Sequence, residues 1–112
     1  MNSARIVSIA FAFAIAMAAD AALAQSAAKP YASGDPAAGK LLSQKDCVRC
    51  HVSKFGGDGT KIYTRSDRKV RTPAQLLAQV AYCNTELSLG YFPDDEANVA
   101  AWLDREHYRF AR

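Results

Sequence analysis

The chain has 112 residues, 50% of them apolar and 22% charged, a globular balance that allows one domain and excludes a second of ordinary size. A net charge of +3 is too small to argue for nucleic acid as a partner. Three cysteines are an odd number, so no closed disulfide framework accounts for them all.

In chain order, Arg5 precedes an uncharged run from Ile6 to Ala19, and Ala22-Leu23-Ala24 stands just before Gln25. A basic start, an apolar stretch and an A-x-A end read as a signal peptide over residues 1–24, cleaved after about Ala24 on export to the periplasm. The apolar stretch is shorter than the ~20 residues a membrane-spanning helix needs, so no integral span is expected after processing. Cleavage there leaves 88 residues with 13 Lys or Arg against 10 Asp or Glu. A chain of that size buries a limited core and commonly leans on a staple or a cofactor.

Residues 25–34 are rich in Ser, Ala, Lys, Pro and Gly and carry no apolar period, so they read as a flexible lead-in to a domain over 35–112. Asp35-Pro36 supplies a helix cap and then proline at the first helical position. Ala37, Ala38, Lys40, Leu41 and Leu42 continue that helix towards Cys47. There the chain runs Cys47-Val48-Arg49-Cys50-His51, and C-x-x-C-H is the attachment sequence of c-type haem. Two thiols at this spacing add across the vinyl groups of the porphyrin, and the adjacent imidazole reaches the iron from the proximal face. Cys47 and Cys50 are therefore expected to hold one haem c covalently, with His51 as proximal iron ligand. Two other readings use the same residues. A thioredoxin-like dithiol wants a βαβ context that the sequence lacks, and a zinc site needs Cys47, Cys50, Cys83 and His107 together.

After Phe55, Gly56-Gly57-Asp58-Gly59 reads as a loop able to lie against a flat cofactor, and Ile62 to Val70 is too charged for a helix and reads as loop. Thr72-Pro73-Ala74-Gln75 has the form of a capping box, and Leu76, Leu77, Val80 and Ala81 form one apolar stripe, so a second helix runs to about Cys83 or Asn84. Beyond Gly90, Pro93-Asp94-Asp95-Glu96 opens a third helix with an acidic first turn, and Val99, Trp102, Leu103 and Phe110 mark its buried face. No repeat and no strand pattern is found, so the class expected is all-α. Charge is segregated: residues 40–71 hold nine basic and three acidic side chains, residues 86–106 one basic and six acidic. That dipole would orient an encounter with a charged partner, or is simply a solvated surface.

On Gly34-Asp35-Pro36-Ala37-Ala38-Gly39-Lys40, the Cys47 to His51 run and Ala100-Ala101-Trp102-Leu103, the sequence resembles the class I c-type cytochromes over most of residues 35–112. The resemblance implies the small all-α cytochrome c fold, three to four helices wrapped around one covalent haem. It implies that the first and last helices cross where Gly39 accommodates Trp102. It also implies Cys47 and Cys50 as the haem thioethers and His51 as the proximal ligand. The family's distal methionine has no counterpart, since Met1 and Met17 both lie in the expected signal peptide. Val80-Ala81-Tyr82-Cys83-Asn84 and the helix after Pro93 are similar to cytochrome c double-prime and related oxygen-binding haem proteins. Tyr82 stands at their distal position, however, and Tyr91 where their partner cysteine is expected.

Candidates for the distal side are therefore Cys83, Asn84, Tyr82 and His107, with Lys61 and Lys69 in the charged stretch and a vacant or water-filled position as further alternatives. Each has a plain structural counterpart. Cys83 would be a small buried hydrophobe or the bridge of a disulfide dimer, His107 a solvated side chain near a helix end, Tyr82 a packing residue and Asn84 a helix cap. Phe55, Tyr63, Tyr91, Phe92, Tyr108 and Phe110 are read as packing.

Two functions follow. The first is electron transfer, with a basic edge at Lys40, Lys45, Arg49 and Lys54 docking on the acidic face of a redox partner protein. The second is a haem protein whose open or labile distal site binds a small gaseous ligand. No acid/base constellation stands beside the motif, so enzymatic activity is not expected. A monomer is expected, with a disulfide dimer through Cys83 as the alternative.

Overall fold

Asp35 opens the first helix as its sequence position demands: its carboxylate accepts from the Ala37 N–H at 2.8 Å, and Pro36 follows with no N–H to leave unpaired. The computed structural model describes residues 28–111, so the expected signal peptide and the start of the lead-in lie outside the described residues. Within them the regular structure is helical throughout. The elements are α1 (Pro36–Asp46), α2 (Val48–Phe55), α3 (Lys61–Thr64), α4 (Pro73–Leu87), α5 (Pro93–Leu103) and a closing π-helical turn (Asp104–Tyr108). The all-α class holds, with five helices in place of three to four.

The first and fifth helices cross at backbone contact. A Cβ on Gly39 would overlap the Asn98 carbonyl and the Val99 N–H, and one on Gly34 would overlap the Ala97 carbonyl. Glycine at residue 39 thus gives the α5 backbone room for this close approach; Trp102 is half-buried, with the Lys40 ammonium 5.4 Å from its ring centroid. Asn98 fastens the crossing by accepting from the Asp35 N–H at 2.7 Å.

Thr72 caps α4, its hydroxyl accepting from the Gln75 N–H at 3.2 Å while the Gln75 side chain accepts from the Arg71 N–H at 2.8 Å. Leu76 and Val80 of the apolar stripe are buried and Leu77 packs beside them. The helix passes its expected end and reaches Leu87, because Thr85-Glu86-Leu87 contains neither glycine nor proline; it stops at Ser88, which adopts the left-handed region with φ 51°. Asp95 caps α5 by accepting from the Phe92 N–H at 3.0 Å. On α5, Val99, Ala100 and Leu103 are buried, while Trp102, like Phe110 beyond the helix, is half-buried. These residues meet Tyr31, Tyr63, Val70, Leu76, Val80 and Tyr108 in one core.

Two segments differ from their sequence reading. The charged stretch after Thr60 contains the single turn α3, because Tyr63 and Val70 are buried among the exposed charges. Arg68 completes that turn, donating to the Tyr63 carbonyl at 2.9 Å with its guanidinium 5.0 Å from the Tyr108 ring centroid. Residues 29–31, read as part of a flexible lead-in, are docked on the carboxyl-terminal turn. Lys29 Nζ donates to Asp104 Oδ2 at 2.5 Å and to the Phe110 carbonyl at 2.9 Å, and the Tyr31 hydroxyl donates to Asp104 Oδ2 at 2.9 Å. The Phe110 N–H donates to Asp104 Oδ1 at 2.9 Å. Burial opposes ionisation of Asp104, yet these donors outweigh it and hold the carboxyl below its ordinary range. One tyrosine and one lysine make this anchor, too few residues to register as a period. Among the described residues no helix is long and apolar enough to cross a membrane.

Candidate functional site

Cys47 lies at the junction of α1 and α2, where its N–H donates to the Ser43 carbonyl and its own carbonyl accepts from the His51 N–H at 3.1 Å. Helical winding thus continues through the motif. Cys50 and His51, three and four residues on, come onto the same face as Cys47. All three side chains are half-buried, and both thiols are free. Burial pushes the Cys47 thiol up to about 11, against a hydrogen bond with Ser43 and with an added push from Cys83, Asp46 and Cys50.

His51 is held on three sides. Its Nδ1 shares a 2.7 Å hydrogen bond with the Tyr63 hydroxyl, and the Phe55 ring meets it edge-on with centroids 5.6 Å apart. Gly59, at φ +82°, comes so close that a Cβ there would press on the Val52 N–H and the His51 Cβ. The loop Gly56 to Gly59 thus comes against the His51 side of α2. Burial, then the Lys54 ammonium, lowers the His51 pKa, which favours the neutral imidazole, the form that ligates metals. With Nδ1 engaged by Tyr63, Nε2 is the ring nitrogen left available.

A cleft of about 210 Å³ opens beside this imidazole, lined among others by Asp58, Thr60, Tyr63, Trp102 and His107. His107 stacks on Tyr63 with centroids 5.0 Å apart and planes inclined by 21°. It is half-buried, unlike the solvated residue its sequence position suggests, because the π-helical turn carries it inward. Burial lowers its pKa, against Glu106 and Asp58. Asp58 accepts from the Thr60 N–H at 3.0 Å and the Thr60 hydroxyl at 2.6 Å, and these bonds hold its carboxyl below the usual range.

The remaining distal candidates occupy different surroundings. Cys83 is half-buried on α4, with Gln79 Nε2 donating to its sulfur at 3.4 Å. Asn84 has its amide engaged: Nδ2 donates to the Tyr91 carbonyl at 3.1 Å and to Glu96 at 2.8 Å, and Oδ1 accepts from the Tyr91 N–H at 3.0 Å. It joins the end of α4 to the start of α5. Tyr82 is 59% exposed, and Lys61 and Lys69 are exposed. Tyr91 donates to Asp46 at 2.7 Å and so ties the α4–α5 connection to α1. Among the described residues no three His, Cys, Asp or Glu side chains converge to hold a metal ion, so Cys47, Cys50, Cys83 and His107 do not form a zinc site.

Two free thiols on one helical face, next to an imidazole with one nitrogen held and the other free, fit covalent attachment of haem. Tyr63 is the participant that sequence reasoning placed only in the packing. Its one visible signal is an aromatic side chain standing alone in a charged stretch. A scan against protein-family models, a search of curated proteins and a search of solved structures each found no match to this chain.

Proposed function

We propose that this chain is an exported, periplasmic monohaem c-type cytochrome that transfers electrons between redox partners. The observation that carries this reading is the motif itself: Cys47, Cys50 and His51 on one face, both thiols free, and the imidazole Nδ1 held by Tyr63 at 2.7 Å. Haem, when bound, supplies the one-electron chemistry. Cys47 and Cys50 tether it through thioether bonds, and His51 offers Nε2 to the iron. The backbone at Gly59 and the Phe55 ring restrict movement of the imidazole. Lys40, Lys45, Arg49 and Lys54 are exposed on α1 and α2 around the motif, and this basic edge suits a transient, salt-sensitive encounter with an acidic partner face.

A second reading, reversible binding of a small gaseous ligand, is favoured by one feature: the described residues contain no methionine, and Asn84 is committed to Tyr91 and Glu96. Expression with a haem-attachment system tests both. Covalent attachment predicts haem that stays with the protein through acid-acetone extraction, and release into the solvent overturns it. Electron transfer predicts a low-spin ferric spectrum and no change when carbon monoxide is added to the reduced protein. A prompt shift with carbon monoxide replaces the first reading with the second.

A further inference from the structure

Tyr63 is 8% exposed, and a hydroxyl so buried is costly unless it is hydrogen-bonded. The partner it finds is His51 Nδ1, across twelve residues of chain. A side chain serving only the core would be as well served by phenylalanine. The backbone is arranged to present this hydroxyl. The α3 turn closes with the Tyr63 N–H donating to the Thr60 carbonyl at 3.0 Å, and Arg68 holds the Tyr63 carbonyl from the other end. The ring itself is stacked on His107 and leans on Tyr108, with centroids 5.8 Å apart, so the hydroxyl has little freedom to leave the imidazole.

We infer that Tyr63 is the positioning residue of the proximal imidazole, an inference that rests on the haem reading above. When Nε2 is the ligating nitrogen, Nδ1 carries the proton and donates it in a hydrogen bond to the Tyr63 oxygen. That bond fixes the tautomer, limits rotation of the ring and makes Nε2 a stronger donor. A stronger donor favours the ferric state, so Tyr63 lowers the reduction potential.

The test is Tyr63→Phe in the haem-loaded full chain, with Tyr108→Phe as a second buried tyrosine that does not bond His51. In Tyr63→Phe, His51 ligation weakens by about 10–100-fold, seen as loss of the proximal ligand at higher pH during acid titration. The potential rises in the same variant and stays in place in Tyr108→Phe. Proton NMR of the wild-type haem-loaded protein gives a readout independent of any variant: the exchange-protected Nδ1 proton of the axial imidazole shows a nuclear Overhauser effect to the Tyr63 ring. A haem-bearing Tyr63→Phe with unchanged potential and acid midpoint overturns the inference and leaves the haem reading intact, as does an Nδ1 proton that contacts another residue. A wild-type chain that acquires no covalent haem overturns both.

Discussion

Removing one carboxylate at the far end of the chain from the motif should unfasten both termini of the domain. Asp104 accepts from three groups, Lys29 Nζ, the Tyr31 hydroxyl and the Phe110 N–H, and is itself 5% exposed. Asp104→Ala leaves those donors without their acceptor; breaking a buried pair of this kind costs about 3–5 kcal/mol. The Lys29 side chain is 22% exposed and can recover water, which puts the expected loss near the lower end, about 3 kcal/mol. For a domain of this size that corresponds to a fall in Tm of about 12–24 °C, read by circular dichroism on the haem-loaded protein at neutral pH. The folded-state pKa of Asp104 lies below the ordinary carboxylate value, so its contribution is complete above that value and is lost as pH falls through the folded pKa. The gap between wild type and Asp104→Asn should therefore narrow below about pH 4. A neutral-pH shift of less than about 4 °C for Asp104→Ala would refute the reasoning, and would mean that residues 29–31 are not anchored to the carboxyl-terminal turn.

Other outcomes are equally open to measurement. Gly39→Ala should destabilise by about 1–3 kcal/mol despite alanine's better helix propensity, since the new methyl meets the α5 backbone; a more stable variant would show that the helices do not approach that closely. Replacing Cys47 and Cys50 together by alanine should abolish covalent haem and reduce helicity in the far-ultraviolet spectrum, and a fully helical variant would show that the cofactor is not needed for the core. Cys83→Ser changes the ferric spectrum if sulfur is an axial ligand; an identical spectrum assigns Cys83 to packing on α4 beside Gln79. Raising the salt concentration should slow reduction by an acidic partner, and a rate indifferent to salt would move docking away from Lys40, Lys45, Arg49 and Lys54.

The starts of α1, α4 and α5 were legible because each rests on contacts only a few residues apart. Asp35 and Thr72 cap where their side chains suggest, and Asp95, in the acidic first turn read for α5, accepts from the Phe92 N–H. Helix ends were less legible: α4 runs on to Leu87 because a stop depends on backbone conformation at Ser88, which its side chain does not announce. Ile62 to Val70 was misjudged for a related reason, since two buried residues among seven neighbours, several of them charged, leave no period to read.

The candidate site divides along the same line. Cys47, Cys50 and His51 are local, and helical spacing alone brings them onto one face. Everything that surrounds them is long-range. That Tyr63 reaches His51, that His107 turns inward to stack on Tyr63, that Asn84 is tied to Glu96 and that Lys29 returns to Asp104 all depend on how the helices are brought together. The sequence by itself determined the all-α class, the starts of α1, α4 and α5 and the C-x-x-C-H run, because capping, periodicity and a short motif act within a few residues. Only the tertiary structure decided which distant side chains face that motif, because burial and hydrogen bonding act between residues the chain keeps far apart.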